Sequence, residues 1–485
     1  MQKSIIHAKT PFHFLMISYK MILIHSIYIS KDGDTMTFNK QTIKNVLSLA
    51  LPAVGEMILY MTISVLDTMM VGRYGGQNSV SAVGLSVEIL YTFINIFIAV
   101  GISIGITSIV ARRFGAKELE SAEEYASIGF FIGLIISFII CLLLFTKSSS
   151  ILRIGGAKNN VILLGNTYMK IIALGSFFTM QTSMLNGVLR GYGNTKTPLI
   201  ISLIINIINI PLDWVLIFGK LGFPDLGVKG AAIATSIAQL SGFLFAVFYI
   251  ITKSKIKLKF KYIQNLNPSK LKSLLVLAIP SSFQEAAFDV SRLLSTFMIM
   301  RLGETAFAAN QITTTIESVS FMPGWGFGVA ATTLMGHKIG EKNFKEAKNY
   351  AYTCTILGTI FMALCAAMFL TVPNFLIKLF ITEGEKQVIH LGSLCLMVAA
   401  IEQIPMGLSL ILGGALKGMG DTKTPFIVSL ISSWLIRLPL MFYFVYIAKT
   451  SVVYVWWITG IQWIMDGTIM FILFRKTLKK LETNI

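Results

Sequence analysis

The chain has 485 residues, of which 54% are hydrophobic and only 13% charged, and its formal net charge is +18. A soluble globular chain carries about 25% charged residues, so this composition, with a mean hydropathy of +0.73, excludes a soluble domain. The excess of Lys and Arg does not point to nucleic acid, because those residues fall between apolar segments and act there as a topology signal.

Residues 1–35 fit no later pattern. "FHFLMISYKMILIHSIYIS" is apolar but interrupted by His13, Lys20 and His25, and it lacks a small-residue cleavage site, so neither a signal peptide nor a span is expected. "MTFNKQTIKNVLSLALP", from Met36, looks like a natural start, and the leader before it is expected to be dispensable or mis-assigned.

Apolar runs of about 20 residues, the length that crosses a bilayer as a helix, then recur almost to the end. They are continuous and rich in Ile, Leu, Phe and Gly, which reads as helices and not as barrel strands. An all-α integral membrane protein is therefore expected. Twelve spans are predicted: 46–71, 81–110, 126–145, 161–189, 197–219, 229–252, 274–300, 305–335, 350–372, 388–416, 424–448 and 451–475. A basic interfacial linker, "KSKIKLKFKYIQNLNPSKLK" (253–272), splits them six and six. This gives an N-terminal bundle (36–252), a C-terminal bundle (273–475) and a tail (476–485). Arg112, Arg113, Lys117, Arg190, Lys196, the linker lysines, Lys338, Lys342, Lys345, Lys348, Lys417, Lys423 and the tail all fall on one face. The opposite loops hold scattered members such as Arg73, Lys147, Arg153, Lys220 and Lys386. The positive-inside rule then predicts a multi-pass protein of the inner (cytoplasmic) membrane with both termini cytoplasmic.

"LRGYGNTKTP" (189–198) recurs as "LKGMGDTKTP" (416–425), 227 residues later. The same slide aligns "LALPAVGEM" (49–57) with "LAIPSSFQE" (277–285), and "VARRFGAKELESAEEYA" (110–126) with "MGHKIGEKNFKEAKNYA" (335–351). Six helices per unit is even, so this is a parallel repeat about an axis along the membrane normal, with a cavity between the halves. In the repeated phrase, Gly191/Gly193 and Gly418/Gly420 are expected to end a helix. Thr195 or Thr197, and Thr422 or Thr424, are expected to cap the next, with Pro198 or Pro425 in its first turn.

An ionisable side chain inside an apolar span costs roughly 2.5–3.5 kcal/mol and needs a reason. Lys170 and Asp466 fit helix-end snorkelling or a structural hydrogen bond. Asp67 does not: it lies fifteen residues beyond Pro52, late in the first span. In the fifth span Asn206, Asn209 and Asp213 share one stripe around Pro211, and such a stripe must face protein or water. Asn186 and Thr235 are candidates to join it, with Tyr60 as a further cavity residue. Two carboxylates together in low dielectric resist joint ionisation, so the pair suits a proton, or Na⁺ among Asn and Thr oxygens. The repeat sets Ser295 opposite Asp67 and Leu440 opposite Asp213, so the cluster has no twin. The second half offers Glu285 and Asp289, one turn apart with Arg292 beside them, then Glu317 and Glu402.

The paired LRGxGxTKTP-type phrases, the LALP start of the first span and "LDTMMVG" (66–72) resemble the multidrug and toxic compound extrusion (MATE) family, from about residue 40 to the C-terminus. The resemblance implies two six-helix bundles forming a V and export of amphipathic, mostly cationic organic compounds in exchange for H⁺ or Na⁺. It places the ion-coupling cluster of DinF-like members on Asp67, Asn209 and Asp213. NorM-like members use a seventh-helix acid, here Glu285 or Asp289, and a tenth-helix Asp. Met406 stands at that last position, with Glu402 one turn earlier, so Glu285 with Glu402 is the expected C-terminal pair. The 23 methionines and 34 phenylalanines suit a cavity for flat cations, although most are expected to pack helices or face lipid. The alternative within transport is a lipid-linked oligosaccharide flippase, which needs cationic cavity residues, and only Arg292 and Arg437 qualify. The four cysteines have no metal or redox spacing, and the five histidines are scattered. No enzyme activity, catalytic residue, cofactor or nucleic-acid partner is expected, and the protein is expected to be a monomer in the lipid bilayer.

Overall fold

A computed structural model describes residues 39–94, 101–154, 159–381 and 384–483. The leader therefore lies outside the described residues. Nearly all of the described chain is helical, and no strand occurs in it. The first lobe holds α1 (Lys40–Ile94), α2 (Ser103–Gly115), α3 (Leu119–Ile154), α4 (Asn159–Gly191), α5 (Lys196–Phe218) and α6 (Gly227–Thr252). The short α7 (Lys261–Gln264) lies in the linker. The second lobe holds α8 (Pro268–Met300), α9 (Glu304–Gly340), α10 (Phe344–Thr371), α11 (Pro373–Lys378), α12 (Lys386–Met419), α13 (Lys423–Ile447) and α14 (Val452–Thr483). Eight of these, within α1 and in α3, α5, α6, α10, α12, α13 and α14, are long and apolar enough to cross a membrane. The remaining long helices are more polar for a visible reason: α4 carries Gln181 and Asn186, α8 carries Glu285 and Asp289, and α9 carries Asn310 and Glu317.

The predicted spans fall on these helices, with three differences. The break expected at 72–80 is absent, and α1 continues to Ile94. That stretch has no proline, and each glycine in it costs about 1 kcal/mol in a helix without forbidding one. The tail is not separate: α14 runs to Thr483, and Leu478 is buried in the second core. The linker ends early, because Pro268 already opens α8, with the Asn267 side chain accepting from the Ser269 and Lys270 amides. The rest of the linker is strapped along the start of α3. Glu123 accepts from the Lys257 amide and pairs with Lys259, while Glu124 pairs with Lys270.

The lobes are not independent at the linker face. Val46, Ala50 and Val54, in the first turns of α1, are packed in the second lobe's core. Leu274, Leu277 and Ala278, in the first turns of α8, are packed in the first lobe's core. Each lobe thus lends the start of its first helix to the other.

The repeated phrase completes this closure. Gly193 (φ 89°) and Gly420 (φ 91°) end α4 and α12 in the left-handed conformation, as expected of them. Gly191 and Gly418 instead remain helical and allow close packing: a Cβ at Gly191 would stand 2.7 Å from the Val110 side chain. The expected threonine caps are corrected. Asn194 Oδ1 accepts from the Thr197 amide at 3.0 Å, and Asp421 Oδ1 from the Thr424 amide at 3.0 Å. A carboxamide or carboxylate reaches the third amide of the turn more readily than a threonine held in helical backbone, and neither Thr195 nor Thr422 makes a capping bond.

Across the lobes the contacts come in pseudo-symmetric pairs. Thr333 Oγ1 donates to the Arg190 carbonyl at 3.0 Å, and Ser108 Oγ donates to the Lys417 carbonyl at 2.5 Å. His337 Nε2 donates to the Gly191 carbonyl at 2.8 Å, and Arg112 Nη1 to the Met419 carbonyl at 3.5 Å. A Cβ at Gly336 would stand 2.6 Å from that of Ala111, while one at Gly115 or Gly340 would overlap the carbonyl oxygen of His337 or Arg112. Nearer mid-helix, Ser318 and Met61 add a cross-lobe hydrogen bond at 3.6 Å, and Asn45 donates to the Tyr350 hydroxyl at 2.7 Å. The lobes are sealed at the linker face.

Candidate functional site

The first lobe encloses the acids singled out in the sequence. Pro211 lies inside α5, and Asn206, Asn209 and Asp213 all point into the lobe, with Asn209 and Asp213 fully buried. Asp67 of α1 faces Asp213, and Asn209 faces Asp213 from one turn earlier. Thr235 of α6 ties the three helices together. Its hydroxyl lies 3.4 Å from Asp67 Oδ2 and 3.4 Å from Asn209 Nδ2, and bonds the Ala231 carbonyl at 2.9 Å. Four buried oxygens remain without a partner: Asp67 Oδ1, Asn209 Oδ1 and both of Asp213. Buried polar atoms are seldom left so. A proton shared between the carboxyls, or a small cation held by these oxygens, would satisfy them.

Tyr168 of α4 escaped sequence reasoning. It is buried within electrostatic range of both acids and forms the wall behind them. A lone tyrosine within a predicted span carries no signal of its own. Asn206 sits on the same stripe, but its amide is tied to the Ser202 carbonyl at 2.8 Å. Tyr60, two turns before Asp67, is 40% exposed.

Asn186 belongs elsewhere. It donates to Glu56 Oε1 at 3.3 Å, beside a Glu56–Arg190 ion pair of 2.5 Å between α1 and α4. Both charged groups are buried, at 4% and 9% exposure, so Arg190 is not a surface anchor of the positive face. Sequence reasoning missed Glu56, although an acid four residues past Pro52 in an apolar run was the available signal. The second lobe repeats the arrangement loosely: Lys417 is buried and faces Glu285.

This overturns the expected pairing of Glu285 with Glu402. The charged neighbours of Glu285 are Lys417 and Asp289, and Asp289 sits 3.8 Å from Arg292. Glu402 is fully buried on α12 and faces Glu317 of α9 and Arg437 of α13. Neither Glu402 oxygen has a hydrogen-bond partner. Arg437 also reaches Gln462 Oε1 at 3.5 Å, and Asp466, buried beside Gln462 and Ser432, completes the group. Glu285 instead meets Lys417, fifteen residues beyond Glu402 on α12, because the helix register, and not residue type, decides which acids meet. The second lobe therefore has an acid–arginine cluster, unlike the arginine-free pair in the first.

At the linker face, His337 lies in the last turn of α9 against the Phe114 ring, 5.3 Å between centroids. Burial holds its imidazole below the ordinary histidine range, opposed by the Gly191 carbonyl and Glu341 and reinforced by Lys338 and Lys255.

Two pseudo-symmetric helical lobes, sealed together at one face and each enclosing buried acids, define a membrane carrier. The MatE family model matches the chain twice, over residues 52–215 and 280–443. The chain therefore belongs to the MATE family. It is 30% identical to a probable multidrug resistance protein NorM of Thermotoga maritima, over 90% of this chain and 91% of that one. It is 29% identical to the uncharacterized transporter YisQ of Bacillus subtilis, over 82% and 87%. Its fold matches an outward-facing multidrug resistance MATE family transporter of the MOP superfamily, with a TM-score of 0.84 at 21% identity over 91% of this chain and 96% of that one. A crystal structure of MATE in complex with MaL6 matches with a TM-score of 0.85 at 21% identity, over 91% and 97%. The twelve-helix, two-lobe fold expected from the repeat is that of these transporters.

Proposed function

We propose that the protein is a secondary antiporter that exports amphipathic organic cations in exchange for H⁺ or Na⁺ by alternating access. The observation that carries this reading is the Asp67–Asp213 pair, with four unpartnered buried oxygens and no cation among the groups that face it. Binding of a proton or Na⁺ there changes the charge of the lobe, and release of that charge is what a rocking carrier can couple to a second ligand. The seal at the basic face corresponds to an outward-facing state, given cytoplasmic termini in the inner membrane. The relatives' name, multidrug resistance protein, supports the substrate class. A flippase for lipid-linked anions is disfavoured, because Arg437 is matched by Glu317 and Glu402, and Arg292 by Asp289.

The test is drug resistance in a host lacking its own pumps. Asp67→Asn and Asp213→Asn are each expected to abolish resistance at unchanged protein level. Wild-type resistance from both variants would refute the coupling role.

A further inference from the structure

A groove of about 490 Å³ opens on the outer surface of the second lobe, between α8 and the start of α13. It is lined by Leu271, Leu275, Val276, Ile279 and Pro280, together with Lys272 and Lys423. Lys272 and Pro280 are eight residues apart on one helix, so the groove runs about 12 Å along α8. Apart from the two lysines its lining is apolar.

The two lysines differ from their neighbours. Lys259, Lys261 and Lys270 are committed to Glu123, Glu120 and Glu124, whereas neither Lys272 nor Lys423 is in an ion pair among the described residues. Asp421, the nearest acid in sequence to Lys423, is occupied by the Thr424 amide and hydroxyl. Both residues are exposed.

The two lobes differ at the positions that bound this groove. Lys44, Pro52 and Lys196 occupy the positions of Lys272, Pro280 and Lys423 in the first lobe, so charge and proline are present in both. One turn deeper the lobes diverge. Phe283 and Phe426 meet with ring centroids 6.2 Å apart and wedge α8 from α13. At the matching positions of the first lobe, Gly55 lies against Leu199, where a Cβ would stand 3.1 Å from the leucine, and α1 and α5 close together. Ser48 also replaces Val276. The aromatic wedge holds the groove open.

We propose that this groove binds one anionic phospholipid of the linker-side leaflet, its phosphate between Lys272 and Lys423 and an acyl chain lying along Leu275, Val276 and Ile279. Basic pockets between membrane helices suit this headgroup chemistry, and the groove walls supply the apolar surface that a free anion cannot use.

The full-length chain, purified in detergent, is titrated with phosphatidylglycerol or phosphatidylcholine, and bound lipid is counted by native mass spectrometry. The wild type is expected to retain one phosphatidylglycerol in preference to phosphatidylcholine. With each lysine near the surface contributing about five-fold, the double variant Lys272→Gln/Lys423→Gln is expected to bind phosphatidylglycerol about 30-fold more weakly, with phosphatidylcholine unaffected. The double variant Lys44→Gln/Lys196→Gln is the internal control and is expected to behave as wild type. Phe283→Ala, which removes the wedge, is expected to weaken both lipids. Equal losses from the two lysine pairs would overturn the proposal, because they would mean a general basic face and not a groove. So would inorganic phosphate competing as well as the lipid does, since that would make the site an anion patch. All four lysines are exposed, so these variants are expected to fold.

Discussion

Gly336 is the sharpest probe of the linker-face seal, because it meets Ala111 across the interface between the lobes. A methyl group at Gly336 would stand 2.6 Å from the Ala111 Cβ, where ordinary contact begins at 3.4 Å, so α2 and α9 must part by about 0.8 Å. Overpacking of this kind costs typically 1–3 kcal/mol. The intrinsic helix preference of alanine over glycine, about 1 kcal/mol, does not offset it, because α9 is helical whether the seal is open or closed. The penalty falls on the sealed state alone and is expected to shift its population about 5- to 150-fold toward opening. A single cysteine at Val329, one turn inside Thr333, in a chain whose four native cysteines are replaced, reports this through its rate of labelling by a membrane-impermeant maleimide from the linker face. Gly336→Ala is expected to raise that rate, and Gly336→Leu to raise it further and abolish export. Labelling unchanged by both substitutions would refute the reasoning, since the two backbones could not then be in contact.

Further outcomes follow from the same geometry. Burial holds the His337 imidazole below the ordinary value near 6.5 in the sealed state, and opening frees it, so protonation favours opening. Its contribution to the seal is full above about pH 6.5 and is lost as pH falls below that value, and the labelling rate should rise on acidification in wild type but not in His337→Gln. Glu56→Gln leaves Arg190 buried without its partner and is expected to cost about 3–5 kcal/mol, read as a lowered unfolding temperature in detergent. The looser Lys417–Glu285 pairing should make Glu285→Gln clearly milder in the same assay. Glu402→Gln, beside Arg437, is expected to reduce export without abolishing it, whereas Asp67→Asn abolishes it.

Spans, repeat and linker were legible because they rest on hydropathy, charge order and self-similarity, which the chain writes along its length. The fifth-span stripe was legible for a related reason: Asn206, Asn209 and Asp213 are spaced by helical turns, so their common face follows from sequence alone. Partners across helices were not. Whether Glu402 meets Glu285 or Glu317 depends on the relative depth and rotation of α8, α9 and α12, which no residue type encodes. Asn186 likewise looked like a member of the stripe and belongs to the Glu56–Arg190 pair. The repeated phrase was read as a connector, and its glycines at 193 and 420 do end helices, yet its carbonyls also receive the cross-lobe hydrogen bonds. That second role needs the opposite lobe in place. The continuous α1 marks where composition misled, since the polar, glycine-containing stretch between the first two predicted spans is tolerated inside a helix.

The central claim is that charge loaded at Asp67 and Asp213 drives export. Its most direct test is ethidium transport in proteoliposomes with Na⁺ and pH gradients imposed separately. Transport is expected to follow one of the two gradients in wild type, and to vanish with that gradient present in Asp67→Asn/Asp213→Asn. Gradient-driven transport that persists in the double variant would contradict the account.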